Sequence, residues 1–223
     1  MYTLHLQKSM LFRGMTELEI TRALQALEAH EKSYEKSETL LTAGTITELM
    51  GLVLEGSVTI ESNDAWGNRT IISHVGKGQV FAETYALMEN EPMLVDVTAS
   101  EDCRILFLRS GRIQSLKSSL EPWALIYITN LLTISMHKNL ILSGRSFHTA
   151  PKTIRGRVMA YLNSVSLQRQ SREFDIPFDR QQLADYLNLE RSALSKELGK
   201  MQKDGLISCR KNHFIILQTG SEH

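Results

Sequence analysis

The chain is poor in the features that mark secreted proteins. Only two cysteines occur among its 223 residues, Cys103 and Cys209; they form no C-x-x-C pair and suggest no disulfide framework, which favours a reduced, cytoplasmic compartment. The N-terminal stretch carries Lys8 and Arg13 and has no long apolar core, so we do not expect a signal peptide. Because 42% of the residues are hydrophobic, the chain can still bury the core of one large or two modest domains.

The chain also lacks net charge, since 25 Lys and Arg balance 25 Asp and Glu. The distribution is uneven, however: from Lys152 onward there are 12 basic and 8 acidic residues. A basic C-terminal third is typical of a protein that binds a polyanion such as nucleic acid. The alternative is a chance fluctuation in a small count.

The first half of the chain predicts one helix followed by short strands. Apolar residues recur at helical spacing over 16–31, and Thr16 with Glu19 forms a potential capping box. Over 38–108, short β-rich runs alternate with glycine, which predicts an antiparallel β-sandwich or roll. The segment 63–68 is a plausible hairpin loop.

A long helix is predicted over 120–147. Six positions follow the 3-4-3-4-3 spacing of a coiled-coil seam: Leu125, Ile128, Leu132, Ser135, Asn139 and Leu142. This spacing favours a dimerisation helix, and a helix packed only within a monomer is the alternative. A membrane span is not expected, because polar residues such as Asn130 and Lys138 interrupt the run.

The remainder of the chain predicts a small DNA-binding domain. Residues 148–153 are interpreted as a hinge, a helix follows, and Pro177 places the next short strand at a sheet edge. From Asp179 to Leu198 the pattern is that of a helix-turn-helix, with Asn188 at the turn. The runs 206–209 and 214–217 then predict a β-hairpin wing whose tip is basic.

The second helix of this motif has the residue types that a DNA-recognition helix needs. Four polar residues point away from its apolar face: Arg191, Ser192, Ser195 and Lys196. Arginine and lysine bind guanine or phosphate, and serine binds base edges or phosphate. An ordinary helical hairpin with a solvated charged face is the alternative.

The whole chain resembles the Crp–Fnr superfamily. The runs GLVLEGSVTI and VGKGQVFAE fall where that family has the glycine-marked strands of its effector-binding roll. The strongest match is DRQQLADYLNLERSALSKELGKMQKDGLI, at the family's helix-turn-helix. The resemblance implies base-reading roles for Arg191, Ser192 and Lys196. It also implies a further groove contact for Ser195 and a phosphate contact for Arg180.

The departures from the family concern the effector. Cyclic-nucleotide binders have Gly-Glu-Leu, then Arg-Ser/Thr-Ala about ten residues later, where the arginine neutralises the phosphate. Here the corresponding stretches are Ala82-Glu83-Thr84 and Met93-Leu94-Val95. A cyclic phosphate would lack its cation, so we expect no tight cyclic-AMP binding. Glu83, Met93 and Leu94 remain candidate pocket residues; the alternative is that they are loop or core residues.

The resemblance therefore predicts an α+β protein without a cofactor. Its expected parts are a jelly-roll-like sensor domain (1–119), a dimerisation helix (120–147), a hinge (148–153) and a winged helix-turn-helix (154–219). No cysteine precedes Cys103, which argues against an iron–sulfur cluster, and haem or another metal is not expected. The expected partners are double-stranded DNA, a second copy of the chain, RNA polymerase and an unknown small effector, but no membrane.

Two other functions fit parts of this pattern. Metal-dependent enzymes also use β-rolls, but His74 is the only histidine of the β-region and no phosphate-binding glycine loop occurs, so we expect no catalytic residues. The other alternative is a regulator that needs no ligand, whose filled roll is a scaffold for the dimer.

Overall fold

A computed structural model describes residues 6–63, 69–88, 90–113 and 121–217. These residues form two compact units, divided between His137 and Lys138. The expected hairpin loop at 63–68 and Trp66 lie almost wholly outside the described residues. Among the described residues, no helix has both the length and the apolar character needed to cross a lipid bilayer.

The first unit begins with helix α1 (Glu17–Ala26), which is shorter than predicted. Its N-terminus has the expected capping box, in which the Thr16 hydroxyl accepts from the Glu19 amide and the Glu19 carboxylate accepts from the Thr16 amide. The prediction that the helix continues to residue 31 is wrong. Glu28 takes a positive φ of 47°, and the Ala29 amide donates to Leu24 O, which ends the helix before strand β1 begins at His30.

In the part of the first unit that the structure describes, eight strands form two antiparallel four-stranded sheets. The first sheet contains, in spatial order, β1 (His30–Tyr34), β8 (Cys103–Leu108), β3 (Met50–Glu55) and β6 (Val80–Phe81). The second contains β2 (Thr39–Leu41), β7 (Asp96–Ala99), β4 (Ser57–Asn63) and β5 (Arg69–Gly76). A short helix, α2 (Glu83–Leu87), follows β6.

The central strand β8 of the first sheet is buried on both faces, whereas the edge strand β1 is mostly exposed. Ile105 and Phe107 point into the core between the two sheets, whereas Leu106 and Leu108 pack under α1 and the long helix α3 (Pro122–Thr149). Successive side chains of a strand point to opposite faces, so a strand buried on both sides is apolar throughout. This explains the unbroken run Ile-Leu-Phe-Leu.

The second unit is a helical domain closed by a three-stranded sheet. Its elements after α3 are α4 (Ile154–Arg169), β9 (Glu173–Asp175), α5 (Arg180–Tyr186), α6 (Arg191–Lys203), β10 (Ile207–Arg210) and β11 (His213–Ile216). The sheet order is β10-β11-β9, so β9 is an edge strand, as expected from Pro177. The observed architecture confirms the predicted fold class: an antiparallel β-domain, a long helix and a C-terminal winged helix-turn-helix.

Candidate nucleic-acid interface

The helix-turn-helix is built by local interactions that the sequence encodes. Asp179 caps α5: its carboxylate accepts from the Gln182 amide at 2.8 Å, and the Gln182 side chain accepts from the Asp179 amide at 2.9 Å. Asn188 occupies the left-handed region at φ 53°, as expected for the turn. The Leu189 amide then donates to Ala184 O at 2.9 Å, which fixes the change of direction between the two helices.

The apolar faces of α5 and α6 meet in the core of the domain. The residues on these inner faces are all buried: Leu183, Ala184, Leu187, Leu194 and Leu198. Ala184 lets the two helices approach closely because it is small and fully buried. Since this packing fixes the rotation of α6 about its axis, the opposite face of α6 must point to solvent.

The four predicted reading residues lie on that opposite face. Arg191, Ser192, Ser195 and Lys196 are all exposed, and positions i, i+1, i+4 and i+5 of a helix share one side. They occupy the first two turns of α6. This is the end of a recognition helix that enters the major groove.

The wing brings a further cation to the same region. The antiparallel pairing of β10 with β11 ends at Arg210 and His213. Lys211, in the connecting turn, has a φ of 54° and is exposed. The predicted basic tip is therefore formed.

A cleft of about 620 Å³ joins α5, α6 and the wing. Its lining includes Arg180, Arg191 and Lys211, so cations from three elements meet around one concave surface. Arg180 is held there by a hydrogen bond from Nη2 to Lys211 O at 3.3 Å and by packing over the Phe214 ring at 5.8 Å. The remaining guanidinium donors can bind an anion, as the predicted phosphate contact requires.

The acidic residues of α6 are paired with a cation. Arg155 Nε donates to Glu197 at 2.8 Å, and Nη2 lies 2.7 Å from Asp204. These hydrogen bonds raise the pKa of Arg155, so it stays charged. Glu197 of α6 and Asp204 just after its end thus share one cation of α4, which reduces the negative charge at the C-terminal end of this helix.

Sequence reasoning missed a set of residues behind the turn. Arg145 and Arg157 both donate to main-chain carbonyls at the end of α5, and His148 is buried against Tyr186. No sequence pattern marks these residues, because carbonyl acceptors are present at every position of a chain.

The three candidate effector residues lie in different environments. Glu83 is buried in the first turn of α2, and Met93 is 1% exposed in the core between the two sheets. Leu94 is 71% exposed, so the structure does not bring it together with Met93 in the interior. Tyr85 packs against the same core as Met93, and its hydroxyl accepts from the Leu94 amide at 3.3 Å.

Comparison with known proteins gives two family matches. The family model for the cyclic nucleotide-binding domain matches residues 31–119, and the Crp-like helix-turn-helix domain matches residues 156–220. The cAMP-activated global transcriptional regulator CRP of Haemophilus influenzae is 21% identical over 191 residues, which is 84% of each chain. The CRP-like protein Clp of Xanthomonas campestris is 21% identical over 197 residues, covering 86% of this chain and 85% of that one.

A solved structure shows the same fold. The c-di-GMP responsive global regulator CLP of Xanthomonas campestris superimposes with a TM-score of 0.56 at 19% identity, over 92% of this chain and all of the other. The chain therefore belongs to the Crp–Fnr superfamily and is a Crp-like transcription regulator with a helix-turn-helix DNA-binding domain.

Proposed function

We propose that the protein acts as a homodimer on a pseudo-palindromic operator, in the cytoplasm. The observation that carries this proposal is the cationic surface formed by Arg191 and Lys196 on α6 with Arg180 and Lys211 beside them. Two copies would present two recognition helices to half-sites about one helical turn apart. Phosphate contacts supply most of the affinity, and the reading residues of α6 supply the specificity.

The dimer is supported by an apolar surface on α3. Trp123, Tyr127 and Leu131 are buried against the β-domain, but the predicted seam faces outward. Leu125 and Leu132 are 66% and 57% exposed. A stripe of exposed leucines at coiled-coil spacing is costly in water and is stabilised when a second copy covers it.

The experiment that tests DNA binding is selection from a pool of random duplexes. We expect enrichment of a site with two-fold symmetry for the wild-type protein and loss of that enrichment for Arg191→Ala, Lys196→Ala. The control, Arg169→Ala, Arg172→Ala, removes equal charge from exposed positions of the same domain and should select the wild-type site. Failure of the wild-type protein to enrich any duplex at low salt, across a panel of metabolites, would contradict the proposal.

The effector is proposed to be something other than cyclic AMP. The Haemophilus relative is described as cAMP-activated and the Xanthomonas protein as c-di-GMP responsive. The family resemblance places Met93 where cyclic-nucleotide binders have the phosphate-binding arginine, and the Met93 side chain is packed in the core. Cyclic AMP should therefore not raise the melting temperature, and a saturable rise would refute this part of the proposal.

A second candidate, a regulator that needs no effector, is favoured by the filled roll. Tyr34, Phe81 and Phe107 pack edge to face between the two sheets. If the roll is only a scaffold, the ligand-free protein should bind its selected duplex with full affinity. A metabolite that changes the affinity for this duplex would instead identify the effector.

With or without an effector, we propose that the protein contacts RNA polymerase at a promoter.

A further inference from the structure

The end of the long helix is fastened to the helix-turn-helix by Arg145. Its Nε donates to Tyr186 O, and Nη2 donates to Asp185 O and Asn188 Oδ1, each at 3.1 Å. The guanidinium also lies 5.8 Å from the centre of the Tyr186 ring. The last carbonyls of a helix have no partner within the helix, so one planar, charged donor group satisfies several of them at once.

A second arginine holds the same turn from the other side of the connecting segment. Arg157, on α4, donates from Nη1 to Leu187 O and Asn188 O at 3.1 Å, and from Nε to Pro151 O at 2.9 Å. The segment 150–153 is thus tied to α4 at Pro151. Thr153 is fixed as well, because its hydroxyl caps α4 by accepting from the Gly156 amide at 3.0 Å.

The last turn of α3 is also packed into the DNA-binding unit. His148 is 7% exposed, and its Nδ1 lies 3.0 Å from the Tyr186 hydroxyl. The imidazole meets the Tyr161 ring edge to face, with 5.4 Å between ring centres, and Phe178 stacks on Tyr186 at 4.9 Å. Residues of α3 from Lys138 onward accordingly group with the second unit.

We propose that Arg145 is a positioning residue that makes the end of α3 and the helix-turn-helix one rigid piece. The joint between the sensor and DNA-binding parts would then lie before Arg145, within α3, and not at 148–153. This inference rests on the proposed dimer. The long helices set the distance between two recognition helices only if each is firmly attached to its own helix-turn-helix.

The test compares full-length wild-type protein with Arg145→Lys, Arg145→Ala and the control Arg169→Lys. Arg145→Lys keeps the charge but loses the planar fork that reaches three acceptors, so direct electrostatic attraction to DNA is unchanged. The probes are the duplex selected by the wild-type protein, with two half-sites, and the same duplex with one half-site scrambled. A second readout, amide hydrogen exchange, needs no DNA.

We expect the Arg145 variants to lose about tenfold in affinity for the two-half-site duplex. For Arg145→Lys, which keeps the charge, the affinity for the single half-site and the salt dependence of binding should match those of the control. Exchange should accelerate together in 139–149 and 184–190, with 122–137 unchanged. Equal losses on both duplexes would show damage to the reading surface itself and would overturn the inference, as would unchanged affinity and exchange.

The two proposals can fail separately. If the wild-type protein selects no duplex, the proposed function fails, but joint acceleration of exchange at 139–149 and 184–190 would still support the rigid attachment. If the wild-type protein selects a symmetric site and Arg145→Ala binds it equally well, the proposed function stands and the positioning role of Arg145 is refuted.

Discussion

The Nδ1 atom of His148 and the hydroxyl of Tyr186 lie 3.0 Å apart in a buried cluster of aromatic rings. Burial lowers the pKa of His148, and burial also raises the pKa of Tyr186 and brings that of Tyr161 to about 12. Both tyrosines therefore stay neutral at physiological pH, and the tyrosine hydroxyl can donate to a neutral imidazole. The Arg145 guanidinium lies 5.8 Å from the centre of the Tyr186 ring and so brings a positive charge close to this pair.

The first prediction is a loss of stability at mildly acidic pH. Above pH of about 6.5 His148 is neutral in both the folded and the unfolded chain. As pH falls below this value, the unfolded chain takes up a proton that the folded chain resists, so the free energy of unfolding decreases until the lowered folded pKa is reached. His148→Gln should show a flatter melting temperature between pH 7 and pH 5 than wild type. The control is His137→Gln, an exposed histidine of the same helix, which should keep the wild-type pH dependence.

The second prediction concerns phosphate contacts. Arg180→Ala and Lys211→Ala should each weaken binding by a similar factor on specific and random duplexes. Each should also reduce the magnitude of the slope of log affinity against log salt by about two for the bound dimer, because each of its two copies releases about one counterion fewer. Binding titrations at four salt concentrations would measure this slope. A loss confined to the specific duplex would instead assign a base-reading role to the residue.

A third prediction concerns base preference. A glutamate side chain can accept from cytosine N4, whereas serine binds base edges without this preference. Ser192→Glu should therefore add a preference for cytosine at one position of each half-site, worth about 1–3 kcal/mol against the other bases. Repeating the duplex selection with this variant gives the preference directly, and Ser208→Glu, an exposed serine of β10, is the matched control. An identical selected site for both variants would remove Ser192 from the reading surface.

The fourth prediction concerns the seam of α3. Leu125→Asp, Leu132→Asp places two charges in the proposed dimer contact and should yield monomers by light scattering, with a folded domain by circular dichroism. Leu167→Asp is the control, since Leu167 is 79% exposed on α4. A dimer that survives the double substitution would show that another surface joins the two copies.

The helix-turn-helix could be predicted from sequence because its determinants are local. Asp179 and Gln182 cap within one turn, and Asn188 tolerates the left-handed backbone that the turn needs. The end of α1 could not be predicted in this way. Glu28 adopts a positive φ without being a residue type that favours it, so tertiary packing of the following strand decides where the helix stops.

For the candidate effector residues, the sequence could not predict which side chains are buried. Met93 and Leu94 are adjacent and both apolar, yet one fills the core and the other faces solvent. The Met93 carbonyl accepts from the Gly44 amide, and the Met93 amide donates to Thr45 O. These hydrogen bonds between distant segments orient the main chain so that the Met93 side chain enters the core. The hydrogen bonds from Arg145 and Arg157 to the carbonyl groups of the turn could not be predicted from sequence either, because they depend on which carbonyl groups the fold brings close to each arginine.

Strand β8 lies between two hydrophobic cores of the first unit and contributes side chains to both. Ile105 and Phe107 pack in the core between the two sheets, whereas Leu106 and Leu108 pack against α1 and α3 on the other face. Because side chains alternate across its backbone, this one strand contributes to both cores. The core of the roll and the core that holds Tyr127 and Leu131 of the long helix are therefore direct neighbours, separated here by a single layer of backbone.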